Sequence, residues 1–410
     1  MKLIAVPTLL AIAASACYAQ SSVTIYGILD AGITQVSGLK GGSIKQLSSG
    51  IMDGSRLGFR GNEDLGGGYR ALFTLESRLE VDTGTVSNRP PSGSQLPDRV
   101  SQAALLGLPG ALQPVVSAVA GSIGNSIGVN LGGAFWDRQA YVGLVTPFGA
   151  VLAGRQYTPA YEVSATFDTL GTQSSLAAGQ VGAIPAAVDI RASNAIVYRI
   201  QQGGITAAAM VAAGEGSATT GRLMGIMGIY KGSAFSVGAG YNTRKNEREA
   251  KSLNSLVLGA SVSLGPGAAH VSYTHVEDEN PTGLSGIAAS VTSSVGAPTS
   301  ALVQNAFIAG FRQDARVMHV GYRLPLGKST FYVAYNRLDD KRAVNADTSS
   351  YGAVYSYAMF KRTDINAVAT RFVNSGLAQA APGGAGYLGG VTASAGVDST
   401  SLALGVRHRF

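Results

Sequence analysis

Ser399-Thr400-Ser401-Leu402-Ala403-Leu404-Gly405-Val406-Arg407-His408-Arg409-Phe410 is the stretch that decides the fold. Read with a period of two, Leu402, Leu404, Val406, His408 and Phe410 share one face, and Ser401, Ala403, Gly405, Arg407 and Arg409 share the other. One side is oily, the other is wet, and the segment stops in mid-strand on an aromatic ring. A closing strand of a membrane barrel has this form, because it must pair with the first strand and leave no open edge in lipid. The partner near the other end is Val23-Thr24-Ile25-Tyr26-Gly27-Ile28-Leu29-Asp30, where Val23, Ile25 and Gly27 alternate with Thr24 and Tyr26. An edge strand of a soluble sandwich is the competing reading.

Composition favours the barrel. The chain has 410 residues, 55 of them glycine, with only 13% charged and 46% hydrophobic, which is enough for two soluble domains or one large barrel. Small residues suit strands crowded on both faces. The formal charge of +7 and the pI near 9.4 favour anions over cations as solutes or partners. Lysines and arginines are spread singly rather than clustered, which argues against nucleic-acid binding.

Met1-Lys2, the apolar run Leu3–Ala14 and small residues up to Ala19 form a secretory signal peptide over 1–19, leaving 20–410 for the barrel. The apolar run is too short to span a membrane as a helix. Cys17 leaves with the peptide, so no disulfide or metal–thiolate site is expected. A lipoprotein that keeps Cys17 would have leucine three residues before it, where Ala14 stands.

From residue 20 the chain repeats one unit: alternating segment, tight turn, alternating segment, longer loop. Turns at 64–68, 147–149, 203–204, 231–233, 265–267, 327–328 and 361–362 each join two such segments. With the first and last segments the total is sixteen strands, an even number as bacterial outer-membrane barrels require, with short periplasmic turns and long outer loops. The class expected is all-β, an antiparallel transmembrane barrel with lipid outside. Two stretches break the pattern. Residues 82–134 are a long insertion in the second loop, apolar over Ala103–Gly121 but interrupted by Pro109 and Pro114, so it is either packed at a subunit interface or collapsed on the surface. Residues 158–190 form a long third loop without clear strands, which is usually functional or disordered.

Ser55-Arg56-Leu57-Gly58-Phe59-Arg60-Gly61-Asn62-Glu63-Asp64-Leu65-Gly66-Gly67-Gly68, Arg138-Gln139-Ala140-Tyr141-Val142-Gly143-Leu144, Gly154-Arg155-Gln156 and the Gly405–Phe410 ending resemble the general diffusion porins of Gram-negative, β-proteobacterial outer membranes. The resemblance covers nearly the whole mature chain. It implies passive diffusion of small hydrophilic and anionic solutes, a homotrimer, and a third outer loop (158–190) folded inward to narrow the pore. It also implies delivery to the barrel-assembly machinery through the C-terminal strand, with Leu402, Leu404, Val406, His408 and Phe410 as its signal, and no cofactor. Asp137 stands before Arg138 where some members carry a second cation, which leaves the strength of anion selectivity open.

With Leu57 and Phe59 on the lipid side, Arg56 and Arg60 face the lumen. The same alternation turns Glu76, Arg78 and Glu80 inward on the third strand, Arg138 on the fourth, Arg155 on the fifth, and Arg191 and Arg199 on the sixth. The resemblance sets a basic ladder at Arg56, Arg138 and Arg191. Those arginines, across from Glu162 and Asp168 of the inward loop, would impose a transverse field that filters solutes by charge as well as size. The alternative is that they only neutralise wall carboxylates such as Glu76 and Glu80.

Catalytic readings fail on context. Gly124-Asn125-Ser126-Ile127-Gly128 fits a nucleophile elbow but sits in a Gly/Ser-rich insertion. Gly327-Lys328-Ser329 lacks a correctly spaced earlier glycine and a following helix. His270 and His275 are five apart on a strand and point to opposite faces. The remaining rivals are a plugged structural or adhesive barrel and, further off, a barrel hydrolase.

Overall fold

The computed structural model describes residues 22–88, 95–126, 130–171, 174, 175, 177, 189–216, 221–382 and 390–410; the signal peptide expected over 1–19 lies outside them. Strand β1 (Ser22–Leu39) turns at Lys40-Gly41 into β2 (Gly42–Ser49), and after a break at 50–55 the chain continues as β3 (Arg56–Gly66). Short turns then join β3 to β4 (Tyr69–Arg78), β5 (Gln139–Thr146) to β6 (Gly149–Tyr157), β7 (Arg191–Gln202) to β8 (Ile205–Ala212), and β9 (Leu223–Lys231) to β10 (Phe235–Lys245). The same device joins β11 (Lys251–Leu264) to β12 (Gly267–Asp278), β13 (Gln313–Leu326) to β14 (Ser329–Asp340), and β15 (Thr348–Phe360) to β16 (Thr363–Asn374). The last strand is β17 (Ser399–Arg409).

Neighbouring strands are antiparallel, and the sheet closes on itself. β1 pairs with β17 from Ile28↔Arg409 to Ser37↔Thr400, and below that Gly27 and Phe410 exchange both backbone hydrogen bonds at 3.1 Å. The Phe410 ring lies on the outer face over Gly27, where a Cβ would come within 2.4 Å of it. On its other edge β1 pairs with β3 over Ser22–Ile28 and with β2 over Ala31–Leu39. β2 and β3 therefore share one place in the wall, and seventeen segments make a sixteen-strand barrel. Alternation in the sequence covers only Val23–Asp30 and resumes at Ser55; the structure carries β1 on to Leu39 and adds β2.

The outer face follows the sequence pattern. Ile25, Ile33, Ile196, Ile226 and Leu404 are between 59% and 69% exposed in the isolated chain, a belt that water would penalise and lipid accepts. Leu402, Val406, His408 and Phe410 continue it along β17, with the His408 Nδ1 2.9 Å from the Thr363 hydroxyl.

Helices occur in the outer loops. The insertion after β4 is neither strand nor featureless coil: it contains α1 (Gln113–Asn125), with Pro114 in the first turn, where its missing N–H costs nothing. The third loop contains α2 (Pro159–Phe167), and the loop after β12 contains α3 (Ile287–Val295) and α4 (Ala297–Phe311). α2 turns inward and lies on the inner wall of β9–β11. Ala160, Val163 and Phe167 are fully buried there, and the wall makes room with glycine: a Cβ on Gly259 would meet the Phe167 ring at 2.2 Å, and one on Gly240 would meet the Ala160 backbone at 2.9 Å. At those two positions no side chain larger than hydrogen fits beneath the helix, whereas Met227, Ile229 and Val257 beside them pack into the same cluster.

Candidate functional site: the pore constriction

Round the wall from the helix-covered strands, beyond β8, the starts of β5 and β7 and the upper part of β3 bring three arginines together. Arg138 is 1% exposed; its Nε donates to Glu76 Oε1 at 2.6 Å and its Nη2 to the Tyr157 hydroxyl at 3.1 Å. Arg191 donates to the same hydroxyl at 3.2 Å and lies over the Tyr157 ring at 4.7 Å, while Tyr157 stacks on Tyr161 of α2 at 5.2 Å. Arg56 donates to Asp53 Oδ1 at 3.0 Å and to the Gly54 carbonyl at 2.8 Å. Lower on β3, the Arg60 guanidinium sits 4.3 Å over the ring of Tyr26, whose hydroxyl donates to Glu76 Oε2 at 3.0 Å. One carboxylate, Glu76, thus anchors the group through Arg138 and Tyr26.

Aromatic rings hold Arg60 and Arg191 through their quadrupoles and do not cancel the charge. Among the described residues neither has a carboxylate within ion-pair distance. Arg138 and Arg191 each also keep one buried nitrogen, Nη1 and Nε, without a hydrogen-bond partner among the described residues.

The other expected positions divide. Arg78 points inward in register but is sealed in the wall at 3% exposure, paired with Glu80 at 3.0 Å and Asp137 at 3.5 Å. Asp137 is thereby tied up beside Arg138. Arg155 is a correction: it pairs with Ala140, on the outer face with Val142 and Leu144, and donates to the Asp137 carbonyl at 2.6 Å and to Ser193 Oγ at 2.8 Å. Val151, Leu152 and Ala153 are apolar on both faces, because Leu152 belongs to an inner apolar cluster, so alternation could not fix the phase of this short strand.

The loop acids do not face the arginine ladder as expected. Glu162 takes both of its oxygens to Arg199 Nη1 at 2.9 Å, forming a separate pair below the ladder. Asp168 is buried, accepting the Leu170 amide at 3.3 Å, with His319 Nε2 at 3.7 Å. That histidine already accepts the Thr169 amide at 3.0 Å through Nε2, and its Nδ1 lies 2.6 Å from Asn336 Oδ1, the arrangement of a neutral ring. Burial pushes the Asp168 carboxyl up to about 7, only partly opposed by the Leu170 amide.

Sequence reading missed a second inward segment. Residues 50–55, between β2 and β3, place Ile51 and Met52 in an inner cluster with Leu170 of the third loop, and Asp53 bridges Arg56 to Arg407, whose Nη1 is 2.9 Å away. Arg407 in turn meets Asp364 at 2.9 Å. The break in alternation after Asp30 is the only sequence sign of this segment. Tyr26 was legible as an inward aromatic from the alternation of β1; Tyr157 was not, because the register irregularity between Gly154 and Gln156 breaks the alternation before it.

Comparison with known proteins agrees with the barrel fold. Over 76 residues the chain is 45% identical to outer membrane porin protein 32 of Delftia acidovorans, an alignment covering 18% of this chain and 22% of that protein. It is 35% identical over 77 residues to the major outer membrane protein P.IB of Neisseria meningitidis serogroup B, covering 18% and 23%. These alignments span less than a quarter of the relatives' length. Among solved structures, the anion-selective porin from Comamonas acidovorans superposes with a TM-score of 0.68 at 22% identity, over 95% of this chain and all of that one. The trimer form of OmpT from Vibrio cholerae gives 0.59 at 14% identity, over 95% and 99%, and at these identities both likenesses concern the fold. The Gram-negative porin family matches residues 5–377, most of the chain, and this protein belongs to that family of outer-membrane β-barrels.

Proposed function

We propose that the chain is a passive channel of the Gram-negative outer membrane, non-enzymatic, through which small hydrophilic solutes and ions diffuse with anions favoured. The observation that carries the preference is the state of Arg60 and Arg191, two lumen cations held by tyrosines instead of carboxylates. The acids nearby are spent: Glu76 on Arg138, Asp53 on Arg56 and Arg407, Glu162 on Arg199. Asp168 carries its charge only in part near neutrality. A wet lumen with uncompensated guanidinium groups concentrates anions and repels cations over roughly a Debye length, about 8 Å at physiological salt. The similarity to an anion-selective porin points the same way. The trimer form of one structural neighbour supports a homotrimer, and the outward belt of β17 ending at Phe410 supports recognition by barrel-assembly machinery.

The test is the reversal potential of the purified protein in a planar bilayer under a potassium chloride gradient. Wild type is expected to favour chloride, and Arg60→Ala/Arg191→Ala to lose most of that preference while still conducting. A cation-favouring wild type would overturn the selectivity, and silence from folded protein would overturn the channel.

A further inference from the structure

The outer loops build an element that strand alternation does not require. Residues 79–138 leave the rim between β4 and β5, and residues 279–312 leave it between β12 and β13. In the closed order of strands these exits are eight places apart in either direction, so they stand on opposite sides of the mouth. A barrel of this size is about 30 Å across, from about 4.8 Å between strands and about 40° of tilt. Yet the helices of the two loops share one dry core. Val116 and Val119 of α1 meet Ile287 of α3 and Val303, Phe307 and Phe311 of α4, none more than 7% exposed. Loops rooted on opposite rims can share a core only by meeting over the opening.

Polar contacts fasten this assembly to other loops. Asp98 Oδ1 takes Lys40 Nζ of the β1–β2 hairpin at 3.1 Å, and the Asp98 amide donates to Gln379 Oε1 of the loop after β16 at 2.5 Å. Arg99 Nη1 donates to the Gly310 carbonyl of α4 at 3.1 Å. A surface loop with no task would not need an apolar core, two buried charged residues and four loops to hold it.

We propose that this helical roof is an outer filter, which limits by size the solutes that reach the arginine-lined constriction. The proposal rests on the channel reading above. Two narrow passages in series act as added resistances. Small ions are limited by the tighter, charged one and are little affected by the roof, whereas bulky neutral solutes meet their steeper barrier at the mouth.

Opening the roof tests this. In Val116→Asp/Phe307→Asp two charges enter the shared core, and in a second variant 287–311 is replaced by a short Gly/Ser linker, which leaves every strand intact. Heat-modifiable gel migration reports whether the barrel is folded. Liposome swelling with sugars of rising size, alongside potassium chloride conductance, reports passage. The expected result is severalfold faster swelling with tri- and tetrasaccharides in both variants, with a smaller rise in ion conductance. Swelling curves that match wild type in folded variants would overturn the filter and leave the channel standing. A wild type that passes neither ions nor the smallest sugar would remove the channel reading, and the filter with it.

Discussion

On the β3–β7 side of the barrel the inward positions carry Arg56, Arg60, Arg138 and Arg191, whereas on the β9–β11 side they carry Gly225, Gly238, Gly240 and Gly259. Both walls obey the same alternation and the same pairing, so the difference lies in what each wall faces. The arginine wall lines the lumen, and its side chains are long, charged and braced by Asp53, Glu76 and the tyrosines Tyr26 and Tyr157. The glycine wall faces α2, and its side chains are absent so that Pro159, Ala160, Val163 and Phe167 can settle on the backbone. A pore of one shape thus becomes asymmetric in chemistry: one sector carries the arginines, and the next carries the shelf on which the loop docks.

That contrast can be broken from either side. The largest effect is expected from Glu76→Gln, which leaves Arg138 buried and charged without its carboxylate at a cost of about 3–5 kcal/mol. Thermal unfolding should fall accordingly, while the reversal potential moves further towards chloride. Phe167→Ala empties the glycine shelf and should cost about 3 kcal/mol of loop docking, seen as faster proteolysis at 159–171 and a raised conductance with the barrel still folded. If the loop stays protected, its position does not depend on the shelf.

A subtler test uses pH. The Asp168 carboxyl, ordinarily near 4, sits at about 7 in the folded loop, so the docked state holds more protons than the undocked one between those values. Docking is therefore strongest at low pH, weakens as pH rises from about 4 to 7, and stays at its weakest above that. Above pH 7 the ionised carboxylate also subtracts from the positive field, so chloride preference should decline as pH rises. Asp168→Asn should flatten both slopes; a pH dependence unchanged by that substitution would assign it to another group. The smallest effect belongs to Arg155→Gln. An arginine on the outer face contributes nothing to selectivity, and a shift comparable with that of Arg191→Ala would return it to the lumen.

How much of this was legible depended on period and phase. Strands with one apolar face, such as Ile196–Ile200 or Leu402–Phe410, declared themselves because lipid and water select opposite residue types at every second position. Phase failed where both faces are apolar, as at Val151-Leu152-Ala153, and that misplaced Arg155. The inward ladder of Arg56, Arg138 and Arg191 could be located by alternation and resemblance, but its bracing could not. Which acid meets which arginine depends on the break at 50–55 and on the path of the third loop, both long-range matters. The roof was partly visible after the fact: Ser300, Val303, Phe307 and Phe311 repeat at helical spacing inside a loop. Pro109 and Pro114 marked where a helix could begin as well as where one could not continue.

The seam between β1 and β17 has a consequence in time. The side-chain contact of Ser37 with the Thr400 carbonyl joins residues 363 apart in sequence, and every other pair of the β1–β17 ladder is further apart still. Until β17 is placed, β1 offers an unsatisfied edge that hydrocarbon cannot hydrogen-bond and that another chain can capture. Loop closure over such a span is slow, so the waiting period is the interval of greatest danger in the life of the molecule. Aggregation during biogenesis should therefore respond to changes at the Gly27–Phe410 junction far more than to changes anywhere in the finished pore.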